Sequence, residues 1–235
     1  MRVGLNTSVI PKQDATKMYD KVVVEAIKKL VKEKWENEKS GHDWWHIKRV
    51  FNLAKYIARQ ENADNYMVEL SALLHEMTDW KFHKDNSEKG KNQAIKWLQY
   101  QQVPQQYINN ILSIINSISF KGARVEDRPL QLEGQILQDA DRLDAMGAIG
   151  IARAFTFGGY HNQDIHVPNS TLHFHESFDE YKNKETTTIN HFYEKLLLLK
   201  ERMHTQTGRE IAEKRHQFME DYLKQFFEEW HFNDT

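Results

Sequence analysis

The chain has 235 residues, 40% of them hydrophobic and 28% charged, with a formal net charge of −2 and no cysteine. That length can bury a substantial core; the missing cysteines exclude disulfides and thiolate metal sites, and the near-neutral charge argues against a nucleic-acid partner. No apolar run approaches the roughly 20 residues that span a bilayer, and the opening MRVGLNTSVIPKQD lacks the apolar stretch of a signal peptide, so a cytoplasmic protein without a membrane partner is expected.

Helical period dominates in chain order. Tyr19, Val22, Val23, Ile27, Leu30, Val31 and Trp35 recur at three- and four-residue steps and predict a first helix. A second is expected to start at Asp43, as N-cap, and to carry Val50, Leu53, Ala54 and Ile57. A short apolar third covers Met67 to Met77, and a fourth is expected near Asp85, which has capping-box spacing to Glu88. Pro104 suits the first turn of a fifth helix bearing Ile108, Ile111, Leu112 and Ile115. One long helix is predicted from Leu132 to Phe155, weakened or bent at Gly147 and Gly150. Residues 158–183, with Gly-Gly, a proline and His161, His166, His173 and His175, have no period and read as a long loop excursion. Helix resumes at Ile189 to Leu199. A last helix is expected to open at Thr207 and Glu210, again with capping-box spacing, and to present Ile211, Phe218, Tyr222, Phe226 and Trp230. No segment alternates strongly enough to force a strand, so the fold class is all-α.

Three places concentrate ligand-type residues: GHDWWHIKRV with His46 and Arg49, ALLHEMTDWKF with His75 and Glu76, and QDADRLDAMGAIGIAR with three aspartates. Imidazoles with carboxylates suit a divalent ion that keeps open coordination positions. A buried acidic side chain also needs a compensating partner, which an ion supplies. Taken alone, His46 reads as a core-edge histidine and Asp141 as a solvated helix charge; order and spacing together carry the argument. Asp141 and Asp144 share a helix face, and Asp139 points away from it.

These motifs, with ISFKG, INHFYEKLLLLK and RHQFMEDYL, resemble the HD superfamily of metal-dependent phosphohydrolases, in its bacterial branch of small stand-alone proteins. The resemblance covers most of the chain. It implies one HD-type helical domain over residues 1–235, with a metal-binding core over about 40–157 and a C-terminal helical extension over about 184–231. It further implies one divalent ion, Mn or Mg before Ni, Co, Fe or Zn, on His46, His75, Glu76 and Asp141. Glu76 stands where the family has aspartate, which moves the carboxylate outward by one methylene. His42-Asp43 is a literal His-Asp pair but lies upstream of the matching position; Asp43 serves as a helix cap there, and His42 stays a candidate to line the pocket. Arg49, Lys81, Lys121, Arg124 and Arg142 are the expected phosphate contacts, with Arg49 and Lys121 foremost, and Asp79 is a candidate proton acceptor. The implied activity is hydrolysis of a small phosphorylated substrate, a nucleotide, with pyrophosphate release from nucleoside triphosphates favoured; a homodimer is compatible with the sequence. Trp44, Trp45 and Trp80 are candidates to stack on a base, although tryptophans more often fill a core.

Two rivals belong to other classes. A non-catalytic nucleotide or metal sensor would make Glu76 a mark of decayed chemistry. A carboxylate-bridged di-iron bundle would use the Glu201–His204 and Glu213–His216 pairs, which read more simply as solvated faces of charged helices.

Overall fold

The computed structural model describes residues 12–38, 41–78, 87–118, 130–173 and 186–232, with the side chains of 12–17, 19 and 87 excepted. Among them every regular element is helical: α1 (Lys12–Trp35), α2 (Trp44–Gln60), α3 (Asn65–Leu74), α4 (Ser87–Tyr100), α5 (Gln105–Ile115), α6 (Leu132–Asp144), α7 (Gly147–Tyr160), α8 (Thr188–Glu194) and α9 (Gln206–Trp230). Short 3-10 turns cover His75–Thr78 and Leu196–Arg202. The fold is all-α. No described helix is long and apolar enough to cross a membrane.

The centre is a triangle of α2, α3 and α6, each packed on the other two. Ile47, Val50, Ala54 and Ile57 from α2 meet Leu70, Leu73 and Leu74 from α3 and Ile136, Leu137 and Ala140 from α6, all essentially without solvent contact. Burying one such side chain contributes about 1.5–3 kcal/mol, so these three helices are the firmest part of the frame. On one side α1 and α5 cover α3; on the other α9 covers α6 and α7. Caps set the entry of each central helix. Asp43 accepts from the His46 backbone N–H at 2.9 Å, as expected, and Asp64 accepts from Met67 N–H at 3.1 Å.

Several boundaries differ from the sequence reading. The expected helix from Leu132 to Phe155 is two helices. The Ala145 and Met146 N–H groups turn back to the Arg142 and Leu143 carbonyls, and Gly147 takes a φ of +68°, which reorients the chain into α7. Gly150 is required on other grounds: a Cβ there would lie 2.3 Å from the Ala145 carbonyl oxygen. The third helix stops at Leu74 and tightens into the 3-10 turn that bears His75 and Glu76. The last helix is capped by Thr205, which accepts from Gly208 N–H at 2.9 Å, rather than by Thr207. Thr207 instead donates, through its N–H and hydroxyl, to Glu61 at the end of α2. Phe218, expected on the buried face of α9, is half exposed; Ala212, Met219 and Leu223 form that face. Val22 likewise faces solvent in α1 while Val24 is buried. Within the excursion, residues 162–173 form no helix or strand, and α8 holds them. Glu194 accepts from His173 N–H at 2.8 Å, and Asn190 donates to Ser170 Oγ at 3.0 Å. The expected Asp85 cap and the rest of the excursion lie outside the described residues.

Candidate metal centre

The central triangle brings the three motifs to one point. His46, in the first turn of α2, is fully buried; His75 and Glu76 follow α3, and Asp141 and Asp144 lie in the last turn of α6. His46 Nε2 lies 3.2 Å from His75 Nε2, 3.0 Å from Glu76 Oε1 and 3.5 Å from Asp141 Oδ1. His75 Nε2 lies 3.4 Å from Glu76 Oε1. Bonds of about 2.1 Å to one ion put neighbouring donor atoms roughly 3.0–3.4 Å apart, so this spacing is that of a coordination shell.

The hydrogen bonds supply a stricter test. His75 Nδ1 lies 2.7 Å from the Ala72 carbonyl, which can only accept, so Nδ1 carries the proton. His46 Nδ1 lies 2.7 Å from Asp144 Oδ2, and a carboxylate imposes the same tautomer. In their neutral forms both rings therefore turn Nε2 lone pairs toward each other at 3.2 Å, beside Glu76. Two such lone pairs do not face each other in a buried pocket without positive charge between them, which either a proton on His75 or a divalent ion supplies. The Glu76 side chain repeats the demand: it is buried, and its Oε2 has no hydrogen-bond partner among the described residues.

Electrostatics runs the same way. Burial disfavours a charged His75, yet the Glu76 and Asp141 carboxylates outweigh it and lift the imidazole to about 9. Burial would raise the Glu76 carboxyl, but His42, His46 and His75 around it hold it well below the usual carboxylate range. Asp141 is lowered as well, with burial opposed by His46, His75 and Arg153. The pocket thus keeps two carboxylates ionised and holds a proton on His75; a divalent ion would take that proton's place, on a set of imidazoles and carboxylates that suits a hard or borderline metal.

The sequence reading sets His42 outside the ligand set, as a residue open to lining the pocket. Its Nδ1 lies 2.7 Å from Glu76 Oε1, and its ring centroid is 5.4 Å from that of His46. Gly41, at a φ of +90°, immediately precedes it, and the Asp43 cap immediately follows. His42, His46 and Glu76 form one candidate ligand group, and His46, His75 and Asp141 form another. Since the two share His46, which has a single free nitrogen, they describe one centre with His42 at its edge. The signal was present in GHDWWH, where the four-residue interval to His46 straddles the cap.

The expected cations fall in different places. Arg49 directs Nε at 2.7 Å and Nη2 at 3.0 Å to the two oxygens of Asp144, with about a third of its side chain exposed. Arg153 on α7, not singled out from the sequence, donates Nη1 to Asp144 Oδ2 at 2.9 Å. Asp144 is buried, and burial would keep its proton on; His46, Arg49 and Arg153 hold it ionised far below the ordinary range. Arg142 is buried and turned toward the Arg202 carbonyl and the His204 ring, a packing position between α6 and the C-terminal segment rather than the expected phosphate contact. Asp139 also leaves the pocket, accepting from His204 N–H, Thr205 N–H and Thr205 Oγ1. Asp79, Lys81, Lys121 and Arg124 lie outside the described residues, as does Trp80. Trp44 is core, whereas Trp45 is exposed with Lys48 Nζ 5.2 Å from its ring centre.

The family model described as the HD domain matches residues 44–146, a span containing His46, His75, Glu76 and Asp141. YpgQ of Bacillus subtilis, described as uncharacterized, is 37% identical over 202 residues, covering 86% of this chain and 90% of YpgQ. The crystal structure of YpgQ in complex with ADP superposes with a TM-score of 0.70 at 33% identity, covering 90% of this chain and 96% of that one. A Lactobacillus plantarum crystal structure reaches a TM-score of 0.80 at 35% identity, covering 89% and 97%. An HD-superfamily hydrolase of Bacillus thuringiensis reaches 0.71 at 34% identity, covering 90% and 98%.

Proposed function

We propose, from the premise that this chain belongs to the HD domain family, that it is a divalent-metal-dependent phosphohydrolase acting on a nucleotide. The observation that carries the reading is the convergence of His46 Nε2 and His75 Nε2, 3.2 Å apart, with the Glu76 and Asp141 carboxylates. These four side chains would hold the ion. When bound, a divalent ion polarises a phosphoryl oxygen and lowers the pKa of a coordinated water, in the best zinc cases from 15.7 to ~7.

The chain's own groups supply the rest. Asp141 is the ligand with a partly exposed side chain, so its side of the centre is where substrate and water enter. To Arg49, also partly exposed, we assign the stabilising of negative charge that gathers on the phosphoryl oxygens. We assign Lys81, Lys121 and Arg124 to further phosphate contacts, and Asp79 to accepting the proton of the attacking water. Attack forms one P–O bond and breaks the bridging one. For a nucleoside triphosphate, cleavage between the α and β phosphorus atoms gives a nucleoside monophosphate and pyrophosphate. The ADP bound by YpgQ supports a nucleotide as the ligand class here.

The test is phosphate or pyrophosphate release from a panel of nucleotides and phosphate esters, with the protein loaded in turn with Mn, Mg, Co, Ni and Zn. Turnover of a nucleotide with one of these metals is expected. Tight nucleotide binding without turnover under every metal would replace the enzyme with the sensor reading, which Glu76 in the place of aspartate favours.

A further inference from the structure

Asp144 is one turn beyond Asp141 on α6, and its side chain is 2% exposed. Its two oxygens receive four N–H donors from two other helices: His46 Nδ1 and the Arg49 Nε and Nη2 groups from α2, and Arg153 Nη1 from α7. A structural ion pair needs one arginine. Here two guanidinium groups share one carboxylate, and Arg153 Nε stays buried without a hydrogen-bond partner among the described residues. A fold optimised only for stability would not retain that cost. The imidazole donor, His46 Nδ1, points to what is gained. Imidazole has two neutral tautomers, and only the one with Nδ1 protonated leaves Nε2 free to bind a cation. His75 has this fixed by a backbone carbonyl, whereas His46 has it fixed by a full negative charge, which also makes its Nε2 more basic.

We propose that Asp144 is a positioning residue of the metal centre, locking His46 in its ligating tautomer and tying Arg49 and Arg153 to that same ring. The proposal rests on the metal-site reading above, and it makes ligand and cations one rigid unit: the ring that grips the ion and the guanidinium group beside it share an anchor. An amide in this place disrupts the unit, because its NH2 either opposes the arginine donors or donates to His46 Nδ1 and selects the wrong tautomer.

Asp144→Asn keeps the shape and removes the charge. Isothermal titration with Mn(II) alone is expected to show affinity weakened on the order of 10- to 100-fold, the usual effect of losing such a partner of a metal-bound histidine. A merely structural Asp144 would lower the melting temperature of the metal-free protein and leave Mn(II) affinity untouched; affinity within about threefold of the unmodified protein overturns the proposal. A second measurement needs no change at Asp144. In metal-free protein labelled with 15N-histidine, with the His46 signals identified by their loss in His46→Gln, Nδ1 should carry a proton, and a bare Nδ1 overturns the proposal even if Asp144→Asn does not fold. If the unmodified protein hydrolyses no phosphate ester with any metal, the hydrolase reading falls while both measurements still judge Asp144.

Discussion

Glu76 carries the chemical question at the scale of single residues. Its Oε1 lies 2.7, 3.0 and 3.4 Å from ring nitrogens of His42, His46 and His75, so the longer side chain already reaches the point the rings share. Glu76→Ala is expected to lose both metal retention and turnover, read by metal titration and single-turnover hydrolysis. Glu76→Asp restores the family residue yet withdraws the carboxylate by one methylene, and placement errors near 1 Å cost on the order of 100-fold in rate. A weaker enzyme is therefore expected. An Asp variant that binds metal more tightly and turns over faster would mark the native site as partly decayed. Among the cations, Arg49→Ala is expected to lower kcat about 100-fold with a smaller change in KM, as for a donor that acts on charge formed in the transition state. Lys121→Ala is expected to raise KM for a nucleoside triphosphate about tenfold, the loss of one charged hydrogen bond. The ligand types were readable because imidazole and carboxylate at these intervals match a family pattern. The contact of His42 with Glu76, 34 positions later, was not, since nothing local says which side chain a residue before a helix cap will meet.

Helix α9 shows how elements are joined. Its N-terminus is held by two carboxylates from other helices: buried Asp139 of α6 accepts from His204 N–H, Thr205 N–H and Thr205 Oγ1, and Glu61 at the end of α2 accepts from Thr207 N–H and Oγ1. Asp139→Ala strips three donors of their partner in a dry place and should destabilise by about 3 kcal/mol, seen as a clear drop in melting temperature. Glu61 supports a pH prediction. The Thr207 N–H and hydroxyl lower its carboxyl, with Arg209 assisting against slight burial. A carboxyl depressed in the folded state stabilises fully above its unfolded pKa of about 4.3, and the contribution is lost as pH falls through the folded value. Melting temperatures of the native protein and Glu61→Gln should therefore differ above about pH 5 and converge on acidification. A constant gap across that range would remove Glu61 charge from the account. Capping-box spacing at Thr207 and Glu210 located this helix within two residues, but Thr205 made the cap because Asp139 had fixed its backbone.

At the scale of the whole molecule, the candidate metal centre sits where α2, α3 and α6 meet, so an ion bound there would tie the three central helices together. An ion that binds only the folded chain stabilises by about 2.7 kcal/mol at 100 times its Kd, and a domain of this size gains roughly 2–4 °C per kcal/mol. Saturating Mn(II) should thus raise the melting temperature by about 5–10 °C, and a chelator should reverse the rise; no shift with any divalent ion would end the metal-centre reading. The sequence by itself determined the helical class, most helix starts, and His46, His75, Glu76 and Asp141 as residues to bring together. Periodicity and caps act over a few residues, and a resemblance of ordered motifs spans the rest. Only the tertiary structure decided that Arg142 packs against the C-terminal segment, that Arg153 and His42 join the centre, and that one expected helix breaks at Gly147. The break sharpens a bend already expected at Gly147, whereas the placing of Arg142, Arg153 and His42 depends on which carbonyl or carboxylate from a distant helix stands opposite each side chain, and no local pattern carries that information.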